Sequence, residues 1–153
     1  MIRLICLIAM IGLPVPAMAD EKPTTGFAFD HVALSVADVD RSALFYANIL
    51  GLKEVANRTE VDGIRWFSLG GGKELHLISV VKGPVKLNKA VHFALTTTNF
   101  DGFLAALKKS GTPWSSWPGE AGKVTDRADG TRQLYIQDVD GYWIEINSAA
   151  GDK

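Results

Sequence analysis

The strongest constraint on this chain is an internal repeat. Laying His31 on His92 also pairs Ala33 with Ala94, Leu34 with Leu95 and Asp40 with Asp101, a period of about 60 residues. Each copy opens on an alternating strand. In the first, Val32, Leu34 and Val36 share one face and His31, Ala33 and Ser35 the other. In the second, Val91, Phe93 and Leu95 oppose His92, Ala94 and Thr96. A helix should follow each strand. Asp38 can cap the first, Ala43, Tyr46, Ala47 and Leu50 form its apolar stripe, and Gly51 stops it. Asn99, the stripe Phe100, Phe103, Leu104 and Leu107, the basic Lys108 and Lys109, and Gly111 do the same in the second copy.

Strands over 53–58, 64–69 and 74–80 complete the first copy as β-α-β-β-β, with the glycine run Gly70-Gly71-Gly72 as a turn. The second copy carries a long Gly/Pro/Ser/Trp stretch over 114–131, with a short strand expected around 123–127. A strand over 133–138 follows. Asp140-Gly141 then reads as a tight turn into a final strand, with Tyr142, Ile144 and Ile146 on one face and Trp143, Glu145 and Asn147 on the other. The fold expected is α+β: two β-α-β-β-β modules, over 27–81 and 90–148, making a cup-shaped mixed sheet in one domain spanning 27–148.

Residues 1–19 stand apart. Arg3, an apolar run from Leu4 to Leu13, Pro14 and Pro16, and Ala17-Met-Ala19 have the layout of a secretory signal peptide, too short to remain as a membrane span. Cleavage after Ala19 would deliver a periplasmic or secreted protein. With 16 basic and 17 acidic residues and no basic stripe, nothing points to nucleic acid or, after cleavage, to a membrane. The one cysteine, Cys6, lies in the leader, so the mature chain has no disulfide, thiol nucleophile or thiolate ligand. Metal chemistry would fall to imidazole and carboxylate.

The chain has three histidines, His31, His76 and His92, and each falls on the non-aliphatic face of its strand, as does Glu145. Any one of them alone is more often a satisfied core or surface residue than a ligand. Two open the modules and two close them, however, and four such residues at matching places in a duplicated unit point to one shared metal site. Three imidazoles and a carboxylate suit Zn, Ni, Co, Mn or Fe and disfavour Ca and Mg. Trp66, Tyr135 and Trp143, with Trp114 or Trp117, are candidates for the walls of the cup. Lys123 and Arg127 lie in the long loop, where they could meet substrate.

Asp30-His31 with the strand-to-helix run to Gly51, together with Gln137-Asp-Val-Asp-Gly-Tyr-Trp-Ile-Glu-Ile146, resembles the vicinal-oxygen-chelate superfamily. That group includes glyoxalase I, bleomycin- and fosfomycin-resistance proteins, methylmalonyl-CoA epimerase and extradiol dioxygenases. The final segment looks most like the closing strand of glyoxalase I. The resemblance implies His31, His76, His92 and Glu145 as ligands of one divalent ion, with Glu145 also the base. It also implies a homodimer whose cups close within a chain or across the pair. The expected activity is a metal-dependent, glyoxalase-like lyase or isomerase acting on a small substrate with vicinal oxygens: the ion stabilises an enediolate while Glu145 moves a proton. The alternatives are an Fe(II)-dependent extradiol-type dioxygenase and a non-catalytic small-molecule or drug-binding protein. Four positions depart from glyoxalase I: His76 stands where a glutamate is usual, Ser35 and Val80 replace an arginine and an asparagine that hold glutathione, and Val139 replaces the usual proline of the final turn. Lys123 falls near that family's lysine for the glutathione glycyl carboxylate.

Overall fold

The computed structural model describes residues 28–148, so the expected leader lies outside the described residues. The elements run β1 (His31–Ser35), α1 (Val39–Asn48), β2 (Glu54–Val55), β3 (Ile64–Gly70), β4 (Lys73–Ile78), β5 (His92–Thr97), α2 (Phe100–Ser110), β6 (Thr125–Asp126), β7 (Arg132–Gln137) and β8 (Trp143–Ser148). This is β-α-β-β-β twice. Each module makes its own four-stranded sheet, ordered β1-β4-β3-β2 and β5-β8-β7-β6. In both, the opening strand pairs parallel with the closing strand, and the remaining pairs are antiparallel. The two sheets are therefore joined by side chains and loops rather than by a shared ladder.

Local sequence explains the elements. The Asp38 carboxylate accepts the Asp40 and Arg41 amides at the start of α1, and Asn99 accepts the Gly102 amide at the start of α2. Gly111, at φ 70°, ends α2 in the left-handed conformation, where its N–H reaches the Leu107 and Lys108 carbonyls. The aliphatic faces of both sheets and the inner faces of both helices enter one cluster, including Leu34, Phe67, Leu75 and Leu77 with Leu134, Ile136, Ile144 and Ile146. Burying those faces leaves each sheet's other face free for polar chemistry.

The Asp138–Tyr142 turn does more than reverse the chain. Buried Tyr46 of α1 donates to Asp138 Oδ2 at 2.7 Å. Asp140 accepts from the Ala37 amide at 2.9 Å and the Ser42 hydroxyl at 2.6 Å. Tyr142 donates to the Ser35 carbonyl at 2.8 Å. The second module's last turn is thus latched onto the first module's β1–α1 corner. Burial raises the Asp138 carboxyl, while bonds from Tyr46 and from the Tyr142 and Asp140 amides oppose the rise. A buried hydrogen bond to a charged group contributes about 1.5–3 kcal/mol, so the latch fixes how the two modules meet.

Candidate active site

Strand register sets up each half of the site. In the first module Ala33 and Trp66 flank His76. The rings of His31 and His76 stack at 4.2 Å with 14° between planes, and His76 and Trp66 at 4.0 Å with 5°. The Arg58 guanidinium also lies over the Trp66 ring, 4.5 Å from its centroid. Three flat rings, His31, His76 and Trp66, are therefore stacked. Glu74, two residues before His76 and on the same strand face, sits 3.0 Å from His76 Nε2 and is held by both Arg58 nitrogens at 2.9 Å. The Arg58 bonds, then the His76 bond, hold the Glu74 carboxyl down at about 2. An ionised carboxylate only accepts, so His76 donates through Nε2. His31 Nδ1 lies 2.7 Å from Asp30 Oδ2, which leaves its Nε2 uncommitted.

In the second module Ala94 and Tyr135 flank Glu145, matching Ala33 and Trp66 around His76. Glu145 is buried. Its Oε2 accepts a short hydrogen bond from Tyr135, and its Oε1 accepts from Asn147 Nδ2 at 2.9 Å. Asn147 is held in turn by the Thr96 hydroxyl at 2.7 Å. Burial, then the Glu145 bond, pushes the Tyr135 phenol well above its usual range. His92 Nδ1 is 2.7 Å from the Lys89 carbonyl and must donate to it, so the neutral ring carries its lone pair on Nε2. That Nε2 lies 3.4 Å from Glu145 Oε2. Two lone-pair atoms at that distance repel unless a proton or a cation lies between them.

The aromatic residues divide. Trp66 stacks on His76, Tyr135 donates to Glu145, and Trp117 packs 6.2 Å from His92 and 5.5 Å from Tyr135. Trp143 pairs with His92 in the ladder, while Trp114 packs against the hydrophobic cluster. Arg127 pairs with Asp129 at 2.9 Å, and its charge is felt at Tyr135. Lys123 is exposed on the loop. Glu74, Arg58, Lys89 and Asn147 were not anticipated as part of the site. Glu74 and Asn147 left a signal in sequence, each standing two residues along one strand face from His76 or Glu145.

The four residues expected to act as one ligand set lie as two pairs, His31 with His76 and His92 with Glu145. Among the described residues no three His, Cys, Asp or Glu side chains lie together so as to hold a metal ion. The pairs also differ in readiness. Ligand atoms about 2.0–2.2 Å from an ion sit roughly 3–4 Å apart, which His92 Nε2 and Glu145 Oε2 satisfy. Metal-bound histidines usually donate their other ring nitrogen to a carbonyl or carboxylate, as His92 and His31 do here. His76 does not fit as it stands. Its Nε2 is given to Glu74, and its ring plane lies nearly parallel to that of His31, so the in-plane lone pairs of the two rings lie in separate layers.

A duplicated β-α-β-β-β fold whose polar faces carry paired imidazole and carboxylate groups defines a class, and the comparisons name it. The family model described as Glyoxalase/Bleomycin resistance protein/Dioxygenase superfamily matches residues 28–146, and the chain belongs to that superfamily. The protein YwbC of Bacillus subtilis (strain 168), whose description is uncharacterized, is 28% identical over 122 residues, covering 76% of this chain and 94% of its own. A lactoylglutathione lyase from Agrobacterium tumefaciens superposes with TM-score 0.62 at 19% identity, covering 84% of this chain and 97% of its own. A glyoxalase/dioxygenase from Nostoc punctiforme gives TM-score 0.64 at 23% identity, covering 88% and 98%. At these identities the solved structures establish the fold alone.

Proposed function

We propose that the protein is an exported, metal-dependent enzyme of glyoxalase-like type, a lyase or isomerase that shifts a proton on a small substrate with vicinal oxygens. The observation that carries this reading is the His92–Glu145 pair, with Nε2 and Oε2 3.4 Å apart and its outer bonds already fixed. His31, His92 and Glu145 would hold one divalent ion, joined by His76 when its ring leaves Glu74. When bound, the ion supplies Lewis-acid charge for developing negative charge on substrate oxygen. Glu145 takes the proton from one oxygen-bearing carbon and returns it to the neighbouring carbon, while Asn147 and Tyr135 hold the carboxylate in place. Tyr135 remains a protonated donor throughout the neutral range, since burial and Glu145 both oppose its ionisation.

The two pairs complete one site when the first module of one subunit meets the second module of another. A mixing experiment tests this. Neither His31→Ala/His76→Ala nor His92→Ala/Glu145→Gln should retain metal alone. After co-refolding, random pairing should restore about a quarter of the wild-type sites, because half the dimers are mixed and each holds one intact site. No recovery in the mixture would place closure of the site within a single chain. Export rests on Ala17-Met-Ala19; a mature mass beginning at Asp20 supports it, and a cytosolic protein retaining the leader residues would end it.

The engagement of His76 favours a second reading. With His76 committed to Glu74 and stacked between His31 and Trp66, the remaining two imidazoles and one carboxylate are the set used by Fe(II) oxygenases. Oxygen uptake with a catechol by the iron-loaded protein would decide for it.

A further inference from the structure

One row along β8 from Glu145, a cavity of about 220 Å³ is lined by Pro113, Trp114, Ser115, Tyr135, Gln137 and Trp143. A cavity of about 150 Å³ holds benzene, so this one has room for a single ring with a substituent. Its aromatic walls come from three separate places in the chain. Beside it stands Lys89, whose ammonium lies 4.7 Å from the Trp143 ring centre and 5.4 Å from that of Tyr135. The ammonium is held by the Ser115 hydroxyl and the Ser116 carbonyl, both at 2.9 Å, and by the Trp117 carbonyl at 3.4 Å. All three are neutral acceptors, and no carboxylate among the described residues pairs with this lysine. By contrast, Arg58 has Glu74 and Arg127 has Asp129.

We propose that this cavity and Lys89 form a subsite for a single-ring aryl anion, with the ring on Trp143 and its acid group on the Lys89 ammonium. The inference names the substrate class of the site described above, and its link to catalysis rests on that reading. Residues two apart on one strand face are roughly 7 Å apart, about the length of one substituted ring. A ring seated on Trp143 therefore presents its far substituent to the Glu145 row, where Tyr135, a wall of the cavity, already donates to the carboxylate. An aromatic box alone would accept any flat apolar group; the uncompensated ammonium selects for charge.

Benzoate is the probe. Titrated against the metal-loaded protein and followed by tryptophan fluorescence, it should bind saturably, while acetate should not. Lys89→Met should weaken benzoate by about tenfold or more, the usual worth of a charge-assisted pair, with benzamide little affected. Lys89→Arg should recover most of the affinity, and Trp143→Ala should weaken both ligands. Absence of benzoate binding, equal binding by wild type and Lys89→Met, or acetate binding as well as benzoate would each overturn the proposal. Glu145→Gln separates this from the proposed chemistry, since it should keep benzoate affinity and lose turnover. Benzoate binding that depends on Lys89, with no Glu145-dependent turnover of any vicinal-oxygen substrate, would leave the subsite standing and remove the lyase reading. Turnover without such binding would do the reverse.

Discussion

The two modules have the same scaffold and opposite chemistry at the same register position. In the first, the residue between Ala33 and Trp66 is His76, stacked on His31 and Trp66 and bound by Glu74. In the second, the residue between Ala94 and Tyr135 is Glu145, held by a phenol and an amide. The first module pairs Glu74 and His76 with its own residues. The second leaves a buried carboxylate facing the His92 imidazole, and next to it a cation with no counter-ion. Duplication therefore settled where a functional side chain stands, while the occupant settled whether it is used up in structure or available for reaction. The turns before the closing strands differ in the same way. Gly70, Gly71 and Gly72 make a hairpin with positive φ at each position, whereas Asp138–Tyr142 carries the latch onto α1.

The most forceful way to break this comparison is to neutralise each equivalent residue in turn. Glu145→Gln keeps the shape and an oxygen donor but removes the basic carboxylate. Turnover should fall about 10²–10⁴-fold, the usual contribution of a general base, and by more than the accompanying loss of metal. His76→Gln should cost far less of either, because its ring is already bound to Glu74 and stacked on both sides. Metal content measured beside turnover at saturating metal decides it. Equal losses at both positions would mean the modules contribute alike, and the asymmetry read from the structure would be wrong.

Most of the fold was legible because strand alternation and helix caps are local signals. The first strand, both helices with their Asp38 and Asn99 caps, and the α2 stop at Gly111 fall where residue spacing puts them. The strand expected over 53–58 shrinks to Glu54–Val55 because Asn57 closes a turn, bonding the Val61 and Ile64 carbonyls and the Thr59 amide. The faces of His31, His76, His92 and Glu145 were also readable, since period two fixes them. What those residues touch was not. Arg58 reaches Glu74 from 16 positions away, Lys89 meets the Ser115–Trp117 loop from 26 to 28 away, and Tyr46 meets Asp138 from 92 away. Such partners are chosen by tertiary packing, which leaves no periodic trace. The same limit explains why four evenly placed ligands read as one set while the chain holds them as two pairs.

The smallest expected effect sharpens the comparison from the first module's side, through acid unfolding. Arg58 and His76 hold the folded Glu74 carboxyl near 2, below its ordinary 4.5. A carboxyl depressed on folding stabilises the folded state fully above its unfolded value, and that contribution is lost as pH falls toward the folded value. The Arg58–Glu74 bridge should therefore act above about pH 4.5 and disappear between there and about pH 2. Because Arg58 is largely exposed in this pair, the effect will be small and salt-sensitive. Acid unfolding of wild type and Glu74→Gln, followed by circular dichroism at low and high salt, measures it. The stabilities should differ most at neutral pH and low salt and converge below about pH 2. The substitution should also free His76, so its stacked position can be read from histidine ring resonances in the same samples. If the His76 ring keeps the same environment after Glu74→Gln, stacking on His31 and Trp66 alone holds it. If the ring becomes mobile, Glu74 is what keeps this histidine stacked in the first module and out of the proposed ligand set.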